Sequence, residues 1–352
     1  MNPFSVFHQF SSLVAHIEGQ RSGSPRSGTP GICLTIGNFD GCHQGHTKLL
    51  SAVVDSSRRH HAESVVMTFS PRPEEFFAGA LNVARHLFTP AMKNRFFEEF
   101  GIDAHVIQSF NAELAQMTHE DFFRQFISGP LKVNSLIIGH DFRFGKNRAG
   151  DADHLAMACR MAGVELIVLD PYSEAKSESA DSDDHPVSSS RIRTMLAKYG
   201  DVAGALKLLG HAFQLEGTVV EGARLGRTIG VPTINLGGVA QIIPARGVYA
   251  ARVVLSPDLA TVRSVPKLAI PAAVNIGIRP TVAEAGLNTA KELVPVVEAH
   301  LLTGSYGADE LYGKKVSIYF VQRIRDEIKF DGLPALREKI QQDIAAARRL
   351  LV

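Results

Sequence analysis

The stretch Ile32-Cys33-Leu34-Thr35-Ile36-Gly37-Asn38-Phe39-Asp40-Gly41-Cys42-His43-Gln44-Gly45-His46 decides how the first half of the chain folds. A short, mostly apolar run ends in glycine and gives way to a polar loop. From His46 to His61 the apolar residues Leu49, Leu50, Val53 and Val54 fall on one helical stripe. Strand, glycine-bearing loop and helix in that order suit phosphate binding. In an open α/β sheet the ligand sits beyond the carboxyl ends of the strands, and a helix N-terminus offers free N–H groups and a favourable dipole. His43 and His46, three apart, share a face of the first turn and can donate to phosphate oxygens. By itself such a pair also describes a capped helix with two surface histidines. A zinc site needs a third ligand at suitable spacing, and the sequence offers none.

Working outward, strands and helices alternate. Ser64–Phe69, Ala104–Ile107, Leu136–Ile138 and Glu165–Leu169 read as strands. Helices are expected after Thr89-Pro90, after Thr118 and over Ala152–Ala162, with Gly101 and Gly163 as stops. This order predicts a Rossmann-like, doubly wound parallel sheet. Beyond about Leu206–Phe213 the period changes. Leu215–Val220, Val248–Leu255, Leu268–Asn275, Val296–Leu302 and Val316–Val321 are strand-like, and only Leu333–Leu351 is helical. That predicts an antiparallel β-barrel with a C-terminal helix. Two domains follow, 1–208 and 209–352. Arg21–Pro30 and Ser173–Pro186 read as mobile loops.

Composition narrows the classes of function. A formal net charge of +1 gives no broad basic surface for nucleic acid or lipid headgroups. No apolar run approaches the ~20 residues of a membrane span, and no signal-peptide core is visible. Cys33, Cys42 and Cys159 form no CxxC pair, which favours a reducing cytoplasm. Gly139 to Lys146 imitates a phosphate-binding P-loop, but its glycines are one residue too far apart and Asn147 stands where Ser or Thr is needed.

Gly37-x-Phe39-Asp40-Gly41-x-His43-x-Gly45-His46 resembles the nucleotidyltransferase signature of the prokaryotic bifunctional riboflavin kinase/FAD synthetase family. Three further blocks are similar to that family's and occur in its order. They are Thr68-Phe69-Ser70-Pro71-Arg72-Pro73, Ile138 to Gly145 with Arg148 and Gly150-Asp151, and Val187-Ser188-Ser189-Ser190-Arg191-Ile192-Arg193. The resemblance implies adenylyl transfer from ATP to FMN, with His43 and His46 catalytic. It implies ATP contacts from Gly37, Phe39, Asp40, Gly41, His43, His46, Ser189, Ser190 and Arg193. It implies flavin contacts from Phe69, Pro71, Pro73, Asp141 and Phe144. Read from the residues alone, Ser188–Ser190 is a helix cap, and Phe142 and Phe144 are core side chains alternating with Asp141 and Arg143.

In the second half, Gly222, Gly226 and Gly230 recur every four residues without a following helix, as in a loop that approaches a ligand through its backbone. Pro232 favours extended chain, so Thr233 and Asn235 point to one side. On residue chemistry alone, proline here marks a sheet edge. Gly226-Arg227-x-x-Gly230-x-Pro232-Thr233-x-Asn235 resembles the family's riboflavin kinase signature. Asn275-Ile276-Gly277, Glu298-x-His300-Leu301-Leu302 and Arg325-Asp326-Glu327-x-x-Phe330 follow in family order. The resemblance implies that Glu298 is the catalytic base and that Gly222, Gly226, Arg227, Gly230, Thr233 and Asn235 bind ATP. It also implies that Thr233 and Asn235 ligate Mg²⁺, for which hard oxygens are suited. Departures are Ser70 for an acidic or amide residue, Ser190 for threonine, Glu221 for histidine and Val282 for phenylalanine.

The expected activity is therefore phosphorylation of riboflavin to FMN and adenylylation of FMN to FAD, with ATP as donor and Mg²⁺ as cofactor. The expected partners are small molecules only, without nucleic acid or membrane, on a monomer or weak homo-oligomer. Two other readings stay open: one active half beside a relic, or a non-catalytic flavin sensor on the same scaffold.

Overall fold

The computed structural model describes residues 4–22, 31–79, 85–173, 186–222, 231–255, 261–280, 293–304, 306 and 310–351. The chain divides into two compact units, Met1–Ala84 with Pro90–Ser188, and Arg85–Thr89 with Ser189–Val352.

The first unit is built on a parallel sheet. Its strands are β1 (Ser5–His8), β2 (Ile32–Ile36), β3 (Glu63–Ser70), β4 (Ala104–Ser109), β5 (Val133–Gly139) and β6 (Glu165–Leu169). They lie in the order β1-β4-β3-β2-β5-β6, and every pairing is parallel. All five residues of β2 are buried, as a central strand covered on both faces requires. One face is covered by α1 (Phe10–Ser22), α6 (His119–Phe126) and α7 (Ala152–Ala162). Phe10, Leu13, Phe122, Phe126 and Leu155 pack there on Leu34, Met67, Val106 and Leu136. On α2 (Gln44–His60), Leu50 and Val53 are buried. Strand order reverses between β4 and β5. The loops after β2 and β5 therefore flank the switch point, where an open α/β sheet binds its ligand.

Strand β1 and helix α1 were not evident in the sequence. Four residues carry too little alternation to be read alone, and β1 exists by pairing Ser5–His8 with Ala104–Ile107. The α7 span is as expected, with Asp151 capping its start and Gly163 in the left-handed region at its end. Residues 23–30 and 174–185, which contain most of both expected loops, lie outside the described residues.

The second unit contains a closed barrel of six strands. These are β7 (Gln214–Val220), β8 (Ile234–Gly237), β9 (Gly247–Val254), β10 (Ile270–Pro280), β11 (Leu293–Leu301) and β12 (Lys315–Arg325). The order is β10-β11-β8-β7-β12-β9, closed by antiparallel pairing of β9 with β10. Closure removes sheet edges. Pro232 therefore does not mark an edge, because β8 has β7 on one side and β11 on the other. Leu268 falls before β10 and is exposed. The helices α8 (Ser189–Thr194) and α9 (Val202–Leu209), joined by a π turn over Met195–Tyr199, belong to this unit.

The C-terminal helix α10 (Leu333–Leu351) packs Ile344, Ala347 and Leu351 against Val231, Ala250 and Ala273. An ion pair fixes its position. Arg325 Nε lies 2.9 Å from Asp343 Oδ1 and Arg325 Nη2 lies 2.6 Å from Asp343 Oδ2, with Asp343 buried. A two-toothed pair of this kind is among the stronger charge-assisted contacts. Asp343→Ala leaves the guanidinium without its counter-charge, and the expected loss is about 3 kcal/mol of barrel stability by denaturant titration. An unchanged midpoint would contradict that role.

Candidate functional site

The first candidate site is the loop between β2 and α2. Three of its residues occupy the left-handed backbone region: Phe39 (φ 48°), Gly41 (φ 77°) and Cys42 (φ 40°). Glycine bears this without strain, whereas the other two cost about 1–3 kcal/mol each and must be held by their surroundings. The Phe39 ring is fully buried and meets Phe97 of α4 (Pro90–Phe100) edge-on at 5.7 Å. The Cys42 thiol donates to the Phe39 carbonyl at 3.4 Å.

Beneath the loop lies a group of buried charges. Asp40 is 1% exposed and Arg72 is 4% exposed, with Arg72 Nη1 3.3 Å from Asp40 Oδ2. Arg72 also bonds Glu75 Oε1 through Nε at 2.9 Å and Nη2 at 2.6 Å. Glu75 in return accepts from the Arg72 N–H, so the pair caps the short helix α3 (Pro73–Ala78). Lys93 of α4, 8% exposed, donates from Nζ to the Asn38 carbonyl at 2.7 Å. Burial lowers the Lys93 pKa, and Asp40 is the main charge opposing that shift.

His43 is the N-cap of α2, and its Nδ1 accepts the His46 N–H at 3.4 Å. An accepting Nδ1 leaves the neutral ring's proton on Nε2. The two imidazoles stack with centroids 3.7 Å apart, and Phe39 lies 4.9 Å from His46 on another side. Burial, then His43 and Lys93, hold His46 well below the usual histidine range. Its Nδ1 is buried and has no hydrogen-bond partner among the described residues. Tyr172 donates to Gln44 Oε1 at 2.6 Å, and Lys48 Nζ sits 4.6 Å from the centre of its ring.

The other expected residues of this site fall in several places. Phe69, half-buried at the end of β3, meets Phe110 edge-on, and Phe110 in turn meets Phe76 and Phe77. Pro71 is exposed and Pro73 begins α3. Asp141 and Arg143 are exposed while Phe144 is buried and Phe142 half-buried, the alternation the sequence implied. The segment is a turn rather than a strand, since Phe142 N–H bonds Gly139 O and Phe144 makes an isolated bridge to Gly150. Phe144 packs in the core against Phe122. Ser189, Ser190 and Arg193 lie on α8, in the second unit.

The second candidate site is set by barrel register. Glu298 of β11 pairs with Asn235 of β8 on one side and with Asn275 of β10 on the other. Directly paired residues share a face, so three polar side chains form a row across three strands. Val297 and Ala299 alternate with Glu298 and are buried. Asn235 is buried, and its Oδ1 has no hydrogen-bond partner among the described residues. An unpaired buried acceptor costs about 1–3 kcal/mol, which a bound ligand can offset. A Cβ on Gly222 would run into the Asn235 amide, so a side chain there would require Asn235 to shift. Thr233 is exposed, just before β8. Gly226, Arg227 and Gly230 lie outside the described residues. His300 Nδ1 meets the Pro232 carbonyl at 2.7 Å and ties β11 to the chain entering β8.

Arg72, Lys93, Tyr172 and Asn275 were not assigned to a site from sequence. Lys93 had a readable signal, since it shares a helical stripe with Phe96, Phe97 and Phe100, where a solvated lysine does not belong. Asn275 lies in the Asn275-Ile276-Gly277 block, but its place beside Glu298 comes from strand register.

Comparison with known proteins gives two matches to family models, FAD synthetase over residues 26–183 and riboflavin kinase over residues 209–351. A bifunctional riboflavin kinase/FMN adenylyltransferase of Escherichia coli K12 is 35% identical over 318 residues, covering 90% of this chain and 92% of its own. The protein of that name from Pseudomonas fluorescens is 32% identical over 320 residues, covering 91% and 93%. A crystal structure from Streptococcus pneumoniae, described as a macrolide-efflux protein, superposes with a TM-score of 0.74 at 26% identity, covering 91% and 95%. No helix among the described residues is long and apolar enough to cross a membrane.

All three cysteines are buried and free. Burial pushes the Cys42 thiol far above its usual range and the Cys159 thiol up to about 11. Native protein at pH 8 is therefore expected to resist a thiol reagent, with three thiols released in denaturant. Rapid native labelling of Cys42 would mean that the β2–α2 loop opens.

Proposed function

The chain belongs to the bifunctional riboflavin kinase/FMN adenylyltransferase family, and from that premise we propose how its residues divide the work of making FMN from riboflavin and FAD from FMN. The domains of that division are 1–208 for adenylyl transfer and 209–352 for the kinase. One observation supports the pairing most directly. Each half holds a buried polar atom without a partner among the described residues at a position its family motif marks, His46 Nδ1 in one and Asn235 Oδ1 in the other.

In the adenylyl transfer, a phosphate oxygen of FMN attacks the α-phosphorus of ATP. A P–O bond forms, the α–β bridge breaks and pyrophosphate leaves. The attacking phosphate is already ionised near neutral pH, so no general base is required. The chain supplies alignment and charge neutralisation. His43 donates from Nε2, and the adjacent neutral His46 steadies the α-phosphate. The backbone of Gly37, Phe39, Asp40 and Gly41 approaches the nucleotide, and Ser189, Ser190 and Arg193 supply further ATP contacts. Phe69, Pro71, Pro73 and Asp141 face the flavin. Phe144 supports that side from the core.

In the kinase reaction, the primary alcohol of riboflavin attacks the γ-phosphorus of ATP. Glu298 takes the alcohol proton, the β–γ bridge breaks and ADP leaves. Gly222, Gly226, Arg227 and Gly230 cradle the nucleotide. The donor set fits Mg²⁺ in one respect, since Asn235 presents a buried amide oxygen that has no partner among the described residues. Thr233 and Asn235 would hold the ion, which neutralises phosphate charge when bound. The working form is a cytoplasmic monomer or weak homo-oligomer whose partners are small molecules, without nucleic acid or membrane.

Purified protein incubated with riboflavin, ATP and Mg²⁺ yields FMN and FAD, resolved by chromatography. His46→Ala is expected to lower FAD formation by about 100-fold or more while FMN still accumulates. Glu298→Gln lowers FMN formation by about 100-fold or more but still converts supplied FMN to FAD. Wild-type output from either variant rejects that residue's role. FMN alone from wild type points to one dead half, and neither product points to a flavin sensor.

A further inference from the structure

We propose that Lys93 is a positioning residue for adenylyl transfer, holding the Gly37–His43 loop in the shape that presents His43 and His46 to the phosphates. The proposal rests on the reading of His43 and His46 given above.

The geometry is specific. Lys93 lies on the buried side of α4 beside Phe96 and Phe97, and its Nζ donates at 2.7 Å to the carbonyl of Asn38. That carbonyl precedes Phe39, the first of the left-handed residues. A strained turn persists only when its surroundings over-determine it, and this contact constrains the residue at which the strain begins. Phe97, on the same stripe, packs on Phe39, which packs on His46. One helix therefore supports the loop by an ammonium and an aromatic ring together.

The charges facing Lys93 come from every element around it. Asp40 and Cys42 belong to the loop, and Arg72 and Glu75 belong to the start of α3. Asp40 already has Arg72 as its partner. A second buried cation is costly to desolvate, and an apolar side chain of similar length would avoid that cost. The ammonium is supported here by Asp40 and by the Asn38 bond, and it contributes to the field at His46. The groups acting on His46 are His43 from the start of α2 and Lys93 from α4, and both disfavour its protonation. Removing the Lys93 charge therefore raises the His46 pKa. The neutral ring is then lost at a higher pH, so the acid limb of transferase activity moves upward.

The test uses full-length protein with Lys93→Met, which removes donor and charge, and Lys93→Gln, which keeps a donor without charge. His46→Ala serves as the control. Adenylylation of FMN is followed as kcat and as KM for ATP across pH, and riboflavin phosphorylation is followed in the same samples. Lys93→Met is expected to lower the transferase kcat by about 10- to 100-fold, the scale of a small misplacement in an active site. KM for ATP stays near wild type, the acid limb shifts to higher pH and kinase activity is retained. Lys93→Gln recovers part of kcat but keeps the shifted limb. Wild-type kcat and pH profile in both variants, with His46→Ala inactive, would overturn the role of Lys93 alone. Equal loss of both activities in both Lys93 variants would also overturn it, as a general packing effect. FAD formation that survives in His46→Ala would instead remove the reading of the site itself.

Discussion

A buried carboxylate has to have a cation beside it, and much of the first unit follows from that requirement at Asp40. The residue sits in a backbone turn that is unfavourable by itself, in a loop that leaves a central strand. Arg72 reaches it from the start of α3 and is itself held by Glu75. Lys93 reaches the same loop from α4. Two helices and the end of β2 are thus tied to one short segment. The segment cannot relax to ordinary extended chain without leaving a charge buried and unpaired, which costs several kcal/mol. The loop can then present His43 and His46 at the switch point of the sheet.

The second unit solves its problem by register rather than by charge. Closing six strands into a barrel leaves no freedom to slide one strand past the next, since a one-residue slip turns every side chain to the opposite face. Asn235, Glu298 and Asn275 fall in one row for that reason. The Arg325–Asp343 pair joins the end of β12 to α10. The segment after Arg325 carries Glu327, whose carboxylate lies over Gly277, two residues from Asn275 on the same strand face. Barrel closure and helix docking thus bear on the surroundings of the same polar row.

The two halves hold their candidate site residues in different ways. In the first, two stacked imidazoles stand at a helix N-terminus, and burial, with His43 and Lys93 nearby, disfavours protonation of His46. In the second, the protein places a carboxylate and amides along a strand face, and the amide oxygen of Asn235 has no hydrogen-bond partner among the described residues. Such a cost is tolerated where a ligand supplies the missing bond.

The sequence by itself determined the alternation of strands and helices, the change of period beyond Leu206–Phe213, the final helix Leu333–Leu351 and the two sets of motif residues. These are legible because periodicity, capping residues and motif spacing are local properties. Tertiary structure alone decided that β1 exists, since four residues become a strand only against β4. It decided that β8 is no edge, because closure is a property of all six strands. It joined Asp40 to Arg72 across 32 residues of chain. Asn275 came to stand beside Glu298 in the same way. Pairing and burial depend on residues far apart in sequence, and no window along the chain contains both partners.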